Sequence, residues 1–213
     1  TELKMAAKDA GLYFSDNKGN KSFDTKQWNA IKAWTTLSKD KAISRDQAEN
    51  MYKYIRDLKD FDFRTPKFWQ NVPETQTFTF KQLKEWAGLD LEDYEQTRPW
   101  WIILKRNFTP NQTQYFIRLL RAYGQKTIDK DPQIIIDTIH SVKGGEANNV
   151  LIYSKTNWPA SFSHKTKDEQ SDEKRVYYTG VTRAKNTLHI LSTDYKYNYP
   201  IGKDYFMYLQ EKK

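Results

Sequence analysis

The chain has 213 residues, 38% of them hydrophobic, and its 7 Trp, 14 Tyr and 11 Phe supply enough apolar bulk for one or two compact units rather than a disordered tail. It has no cysteine, which excludes disulfides, a Cys-ligated zinc site and a thiol nucleophile, and its three histidines, His140, His164 and His189, show no metal-ligand spacing. A formal charge of +8 favours a polyanionic partner, since clustered cations release counterions from nucleic acid, and no apolar run reaches the about 18 residues of a membrane span.

The first ten residues read as a helix stopped by Gly11, and a short apolar strand, Leu12-Tyr13-Phe14, precedes the turn-rich Ser15 to Asn20. The opening Thr1-Glu2-Leu3-Lys4 has no initiator Met and reads as helix interior, which suggests a piece of something longer. From Phe23 the period becomes helical, with Thr25 as N-cap and Ala30, Ala33, Trp34 and Leu37 on one face. Ser44 and Gln47 form a capping box for a second helix, whose apolar stripe is Ala48, Met51, Tyr52, Ile55 and Leu58. Pro66 and Pro73 keep residues 61–78 irregular, and Thr79 with Gln82 opens a short helix carrying Leu83 and Trp86 that stops at Gly88. After Pro99-Trp100-Trp101 an apolar segment reaches Leu104. Thr109, Pro110 and Gln112 then supply an N-cap, an N1 proline and a box partner for a helix closed by Gly124. Residues from about 22 to 125 are thus mostly helical. Helical spacing makes Trp28, Trp34 and Trp86 core residues rather than base-stacking platforms, while Trp100-Trp101 remains open to either reading.

The last third changes character. Ile134-Ile135-Ile136, Val150 to Tyr153 and Leu188 to Leu191 are short apolar runs of the kind that parallel sheets bury on both faces, and a helix is expected from about Asp172 to Lys185 between the last two. Alternating strands and helices indicate an α/β layer into which the helical block is inserted.

The chemistry-bearing segment is Thr138-Ile139-His140-Ser141-Val142-Lys143-Gly144-Gly145-Glu146, directly after a strand, followed by Val181-Thr182-Arg183-Ala184 at the end of a helix. Hydroxyl, imidazole, ammonium and carboxylate groups bracket a Gly-Gly pair at the strand edge where open α/β sheets bind ligands.

These two segments resemble motifs V and VI of superfamily 1 helicases of the UvrD/Rep/PcrA type, a T-x-H-x-x-K-G-x-E element and a helix leading into V-T-R-A. The resemblance implies a RecA-like parallel-sheet domain, the second motor domain of a P-loop NTPase helicase, at residues 1–21 and 111–213. A mostly α-helical domain at 22–110 would be inserted in it. It implies ATP and Mg²⁺ as cofactors, with Arg183 as the arginine finger on the γ-phosphate and Gly145 and Glu146 near the nucleotide, Glu146 towards its sugar. Thr138 and His140 would line the single-stranded DNA track, and Lys143, Gly144 and Thr182 would couple the two sites. Expected partners are single-stranded and duplex DNA, the N-terminal motor domain of the same parent and accessory proteins. No membrane is expected, and the location would be the cytoplasm of a bacterial or phage-infected cell.

The family pattern is not complete. An aromatic often follows the motif V glutamate, where this chain has Ala147, and Gly145 replaces a larger residue, the mark of a viral or otherwise divergent branch. The 213 residues contain no G-x-x-x-x-G-K-[ST] loop and no Walker B acidic pair, so the parts that cradle the phosphates and hold Mg²⁺ must come from elsewhere in the parent. The isolated chain is accordingly expected not to hydrolyse ATP. The competing reading is a non-catalytic nucleic-acid-binding or protein-docking module on a helicase-like fold; a nuclease fusion is weaker, since nothing after Leu191 suggests one. Bland alternatives for single residues are a surface salt bridge for Arg183 and a solvated face for the cations between Lys39 and Lys67. His164 in a polar loop and His189 in a strand carry no assigned role.

Overall fold

The structure is a computed structural model that describes residues 2–55, 66–86, 96–155 and 166–191. Two compact units divide the chain between Ile136 and Asp137.

In the first unit, helix α1 (Glu2–Asp9) leads through Gly11 into strand β1 (Phe14–Ser15). Helix α2 (Thr25–Leu37) is capped by Asp24, not Thr25: the Asp24 carboxylate accepts from the Lys26 N–H, and Thr25 is already the first helical residue. Strand β2 (Ile43–Ser44) runs straight into helix α3 (Arg45–Tyr52), whose Ser44/Gln47 capping box forms as expected. Ile55 of the predicted stripe is buried just beyond the helix, and Leu58 lies outside the described residues, as does Gly88. Helix α4 (Pro66–Gln70) and strand β3 (Thr77–Phe78) give the irregular stretch some order, with β3 pairing antiparallel to β2. Helix α5 (Phe80–Trp86) starts at the Thr79/Gln82 pair, and a single helical turn, α6 (Trp100–Ile103), follows Pro99.

Helix α7 (Pro110–Ile128) begins at the predicted Thr109/Gln112 box with Pro110 at its first position. Gly124 interrupts it rather than ending it: at φ 68° and ψ 162° it kinks the chain, which re-enters helix as far as Ile128. Strand β4 (Ile134–Ile135) then lies parallel to β1, so the ends of a segment more than a hundred residues long meet side by side.

Aromatic packing dominates the core of this unit. Phe116 lies at the centre, stacked on Trp28 (6.3 Å between centroids, 7° between planes) and in contact with Phe23, Trp100 and Phe108. Tyr13 before β1 and Ile128 at the end of α7 belong to the same cluster as Trp34, Met51 and Trp69. A cut at 21/22 and 110/111, the boundaries expected of an inserted domain, would run through this core. Polar anchors tie it down. The Tyr13 hydroxyl reaches the Lys130 carbonyl (2.6 Å), and the Tyr115 hydroxyl donates to Leu12 O (2.6 Å), with burial raising the Tyr115 phenol to about 12. Trp28 Nε1 and Lys32 Nζ both meet Asp129 Oδ1 at 3.0 Å. Burial pushes the Asp129 carboxyl up, but those two donors together with the charge of Lys21 outweigh it and hold the group below its usual range.

The second unit contains strand β5 (Ala147–Tyr153), helix α8 (Lys167–Val181) and strand β6 (Ala184–Leu191), with β5 and β6 parallel. Register pairs Val150 with Leu188 and Ile152 with Ile190 on one face, where Ile139 and the α8 residues Tyr177 and Val181 cover them. Among the described residues, burial on both faces is not what these strands show. Leu151 and Leu191 on the opposite face stay 55% and 44% exposed, and Ile135 of β4 is 59% exposed. One helix covers one face of a pleated pair, because successive side chains point to opposite sides. Helix α8 also departs from expectation: it starts earlier, at a Thr166/Glu169 capping box, and ends before Thr182, which leaves Arg183 in a turn.

Candidate functional site

The two motif segments meet within the second unit through backbone and side-chain bonds. Residue 137 leads into tight turns over 138–145. Thr138 N–H donates to Asp137 Oδ1 (2.8 Å), Ser141 N–H donates to Thr138 O (3.1 Å), and Ser141 Oγ also donates to Thr138 O (2.8 Å). Gly145 N–H donates to Val142 O (3.1 Å) to close the second turn. Gly144 has φ 83°, the left-handed region in which a Cβ is strained, so the glycine here is a requirement of the turn.

Ile139 anchors the segment. Its side chain packs on α8 over Gly180, where an added Cβ would lie 3.2 Å from Ile139 Cδ1 and 3.2 Å from Ile152 Cδ1. Gly180 is therefore the contact that lets the segment lie close against the helix. Gly180→Val is expected to overpack this contact, destabilise the second unit by about 1–3 kcal/mol and displace residues 138–146. Thermal unfolding of the variant, with loss of the Ile139 methyl contacts in NMR spectra, is the check.

Arg183 is the stitch between the segments. Its main-chain carbonyl accepts from Ala147 N–H (3.0 Å), where β5 and β6 begin. Its guanidinium donates from Nε to Thr179 O (3.0 Å), from Nη1 to Gly145 O (3.2 Å) and from Nη2 to Thr182 Oγ1 (3.2 Å). The first of these falls on a carbonyl at the C-terminal end of α8 that also accepts from Thr182 Oγ1 (3.0 Å), and a cation there suits the helix dipole. Each terminal nitrogen keeps a second N–H with no partner among the described residues. Glu146, next in the chain to Gly145, pairs through Oε2 with Lys185 Nζ at 3.1 Å, both side chains about half exposed.

The predicted site residues thus fall into two sets. Gly145, Glu146, Thr182 and Arg183 are brought together by hydrogen bonds and strand pairing. Thr138, His140, Lys143 and Gly144 are exposed on the turns leading to them, and no hydrogen bond or ion pair joins Thr138, His140 or Lys143 to Arg183. Sequence reading missed Lys185 as the partner of Glu146. It also missed Ser141 as the residue that shapes the turn at Thr138. A hydroxyl three residues after a hydroxyl was a local signal for the second; nothing local signalled the first. His164 lies outside the described residues.

The sequence model of the UvrD-like helicase C-terminal domain matches residues 20–195. The chain belongs to the UvrD-like helicase C-terminal family. That span includes both motif segments and most of the first unit, and the small parallel sheets with helices between them agree with an α/β class. Neither a search of curated proteins nor one of solved structures gives a match. Among the described residues of this UvrD-like domain, no helix is long and apolar enough to cross a membrane.

Proposed function

We propose that this chain is the second RecA-like motor domain, with a helical insertion, of an ATP-dependent helicase. The parent would move on single-stranded DNA and open duplex, 3′ to 5′ by resemblance. The observation that carries the reading is Arg183. It is held against the Gly145 carbonyl by one N–H of a terminal nitrogen and keeps one N–H on each terminal nitrogen with no partner among the described residues. A guanidinium fixed in this way suits an anionic oxygen that gains charge during phosphoryl transfer, because its orientation needs no reorganisation at that moment.

The residues present fit an ATP site in part. Arg183 would meet the γ-phosphate, and Gly145 allows close backbone approach beside it. Glu146, with its charge moderated by Lys185, would face the nucleotide sugar. ATP, when bound, supplies the free energy that its terminal phosphate releases on transfer to water. Among the described residues no group of His, Asp and Glu could hold a metal, and Mg²⁺ is assigned to the first motor domain. Thr138 and His140, exposed on the turns that feed Gly145, are assigned to the DNA track, and Lys143, Gly144 and Thr182 to the link between the two. The parallel β1–β4 pairing across residues 16–133 supports an insertion topology.

The test uses the 213-residue chain itself. It is expected to bind a fluorescent oligothymidylate, with Thr138→Ala and His140→Ala each weakening that binding, and to show no ATP hydrolysis above buffer with or without DNA. Robust hydrolysis by this chain alone would overturn the proposal.

A further inference from the structure

Outside the motif segments, the first unit carries an exposed aromatic and, a few residues further along the chain, two cations with no ion pair among the described residues. Helix α6 turns Trp100, Ile103 and the following Leu104 into the core but leaves Trp101 41% and Ile102 39% exposed. Trp101 is braced edge-to-face on Trp100 (5.7 Å, 88°), and Trp100 is itself packed against Phe108 and Phe116. A ring held in this manner has little rotamer freedom left to lose when something stacks on it.

The chain after α6 is pinned as firmly. Arg106 N–H donates to Tyr54 O (3.0 Å), Asn107 Nδ2 donates to Lys53 O (3.3 Å), and Gln27 Nε2 donates to Asn107 O (2.7 Å). Asn107 takes φ 58° to make the turn. Lys105 and Arg106 are therefore presented on fixed backbone a few residues from Trp101. Both are exposed, and neither has an ion pair among the described residues.

We infer that Trp101, Lys105 and Arg106 form a contact for single-stranded nucleic acid, a base stacking on the indole and phosphates meeting the two cations. Charge complementarity decides the occupant: an apolar protein partner would have to bury Lys105 and Arg106 unpaired, whereas a phosphate backbone pairs with them and its bases cover the indole. The inference does not rest on the motor reading, since Trp101 belongs to the first unit and the motif segments to the second.

The experiment is a titration of the full 213-residue chain with fluorescent oligothymidylate, oligouridylate and an abasic deoxyribose-phosphate strand of equal length. Trp101→Ala is expected to weaken base-bearing strands roughly tenfold, Trp101→Phe much less, and neither should alter abasic binding. Oligothymidylate and oligouridylate distinguish DNA from RNA by which of them shows the Trp101 dependence. Lys105→Ala with Arg106→Ala should lower the slope of log affinity against log salt by about 1.4, two phosphate contacts on a single strand. Thr138→Ala should leave the Trp101-dependent component in place, which separates this surface from the proposed track. Binding of base-bearing strands by Trp101→Ala within twofold of wild type would overturn the inference, as would equal losses on abasic and base-bearing strands, or a salt slope unchanged by removing both cations. Thermal unfolding of each variant confirms that the comparison is between folded chains.

Discussion

Arg183→Ala in the complete parent protein is expected to reduce DNA-stimulated ATP hydrolysis by roughly 10³- to 10⁵-fold, the range lost when an arginine finger is removed. Binding of single-stranded DNA should stay within about twofold of wild type, because no hydrogen bond joins the guanidinium to Thr138 or His140, the residues proposed for the track. The arginine also has structural work, sharing Thr179 O with the Thr182 hydroxyl at the end of α8 and holding Gly145 O. Arg183→Lys separates the two. An ammonium retains the charge and can replace one carbonyl contact, but it has no fork with which to hold Gly145 and meet a phosphate oxygen together. If guanidinium chemistry is what counts, the lysine variant unfolds near the wild-type temperature, binds DNA normally and still fails to hydrolyse ATP. Surviving hydrolysis with collapsed DNA binding would remove Arg183 from the nucleotide site, and loss of both in folded protein would assign it to shaping the 138–146 segment instead.

Phe116→Ala is expected to cost the first unit about 3–5 kcal/mol. Phe116 is 1% exposed and touches Phe23, Trp28, Trp100, Phe108 and Tyr115, so deleting the ring opens a cavity among rigid aromatic neighbours that cannot collapse to fill it. Urea unfolding followed by tryptophan fluorescence reads the change as a lower midpoint. Phe116→Leu, which keeps most of the volume, should fall between the two. A loss under 1 kcal/mol for alanine would mean that this cluster is not what holds the unit together. The same substitution bears on domain organisation: Phe116 lies in a segment assigned to the motor layer, yet most of its ring partners lie in residues 22–110. Deleting that block would leave α7 with its apolar face uncovered, and residues 22–110 are therefore not expected to be separable from α7.

Local chemistry was readable without a structure wherever the deciding interaction spans three or four residues. The capping boxes at Ser44/Gln47 and Thr109/Gln112 form because donor and acceptor are neighbours on the chain. The same rule, applied at Thr166 and Glu169, would have placed the start of α8 correctly. The Thr25 misassignment shows its limit: two adjacent capping residues compete, and the winner is set by which one has extended backbone, Asp24 at ψ 120°. Gly124 was legible as a break but not as a kink, since whether helix resumes depends on what lies beside it.

The sequence by itself determined the family, the order of the two motif segments and the identity of the groups they bring, because those are matters of residue type and spacing along one strand edge and one helix end. Only the tertiary structure decided the rest. It placed Arg183 in a turn with Gly145 under one hand and spare donors on both, joined Lys185 to Glu146 across a parallel strand pair, and left one face of β5 and β6 exposed among the described residues. These outcomes depend on which strands become neighbours and how many layers cover them, and such contacts join residues tens of positions apart, where no local pattern carries the information.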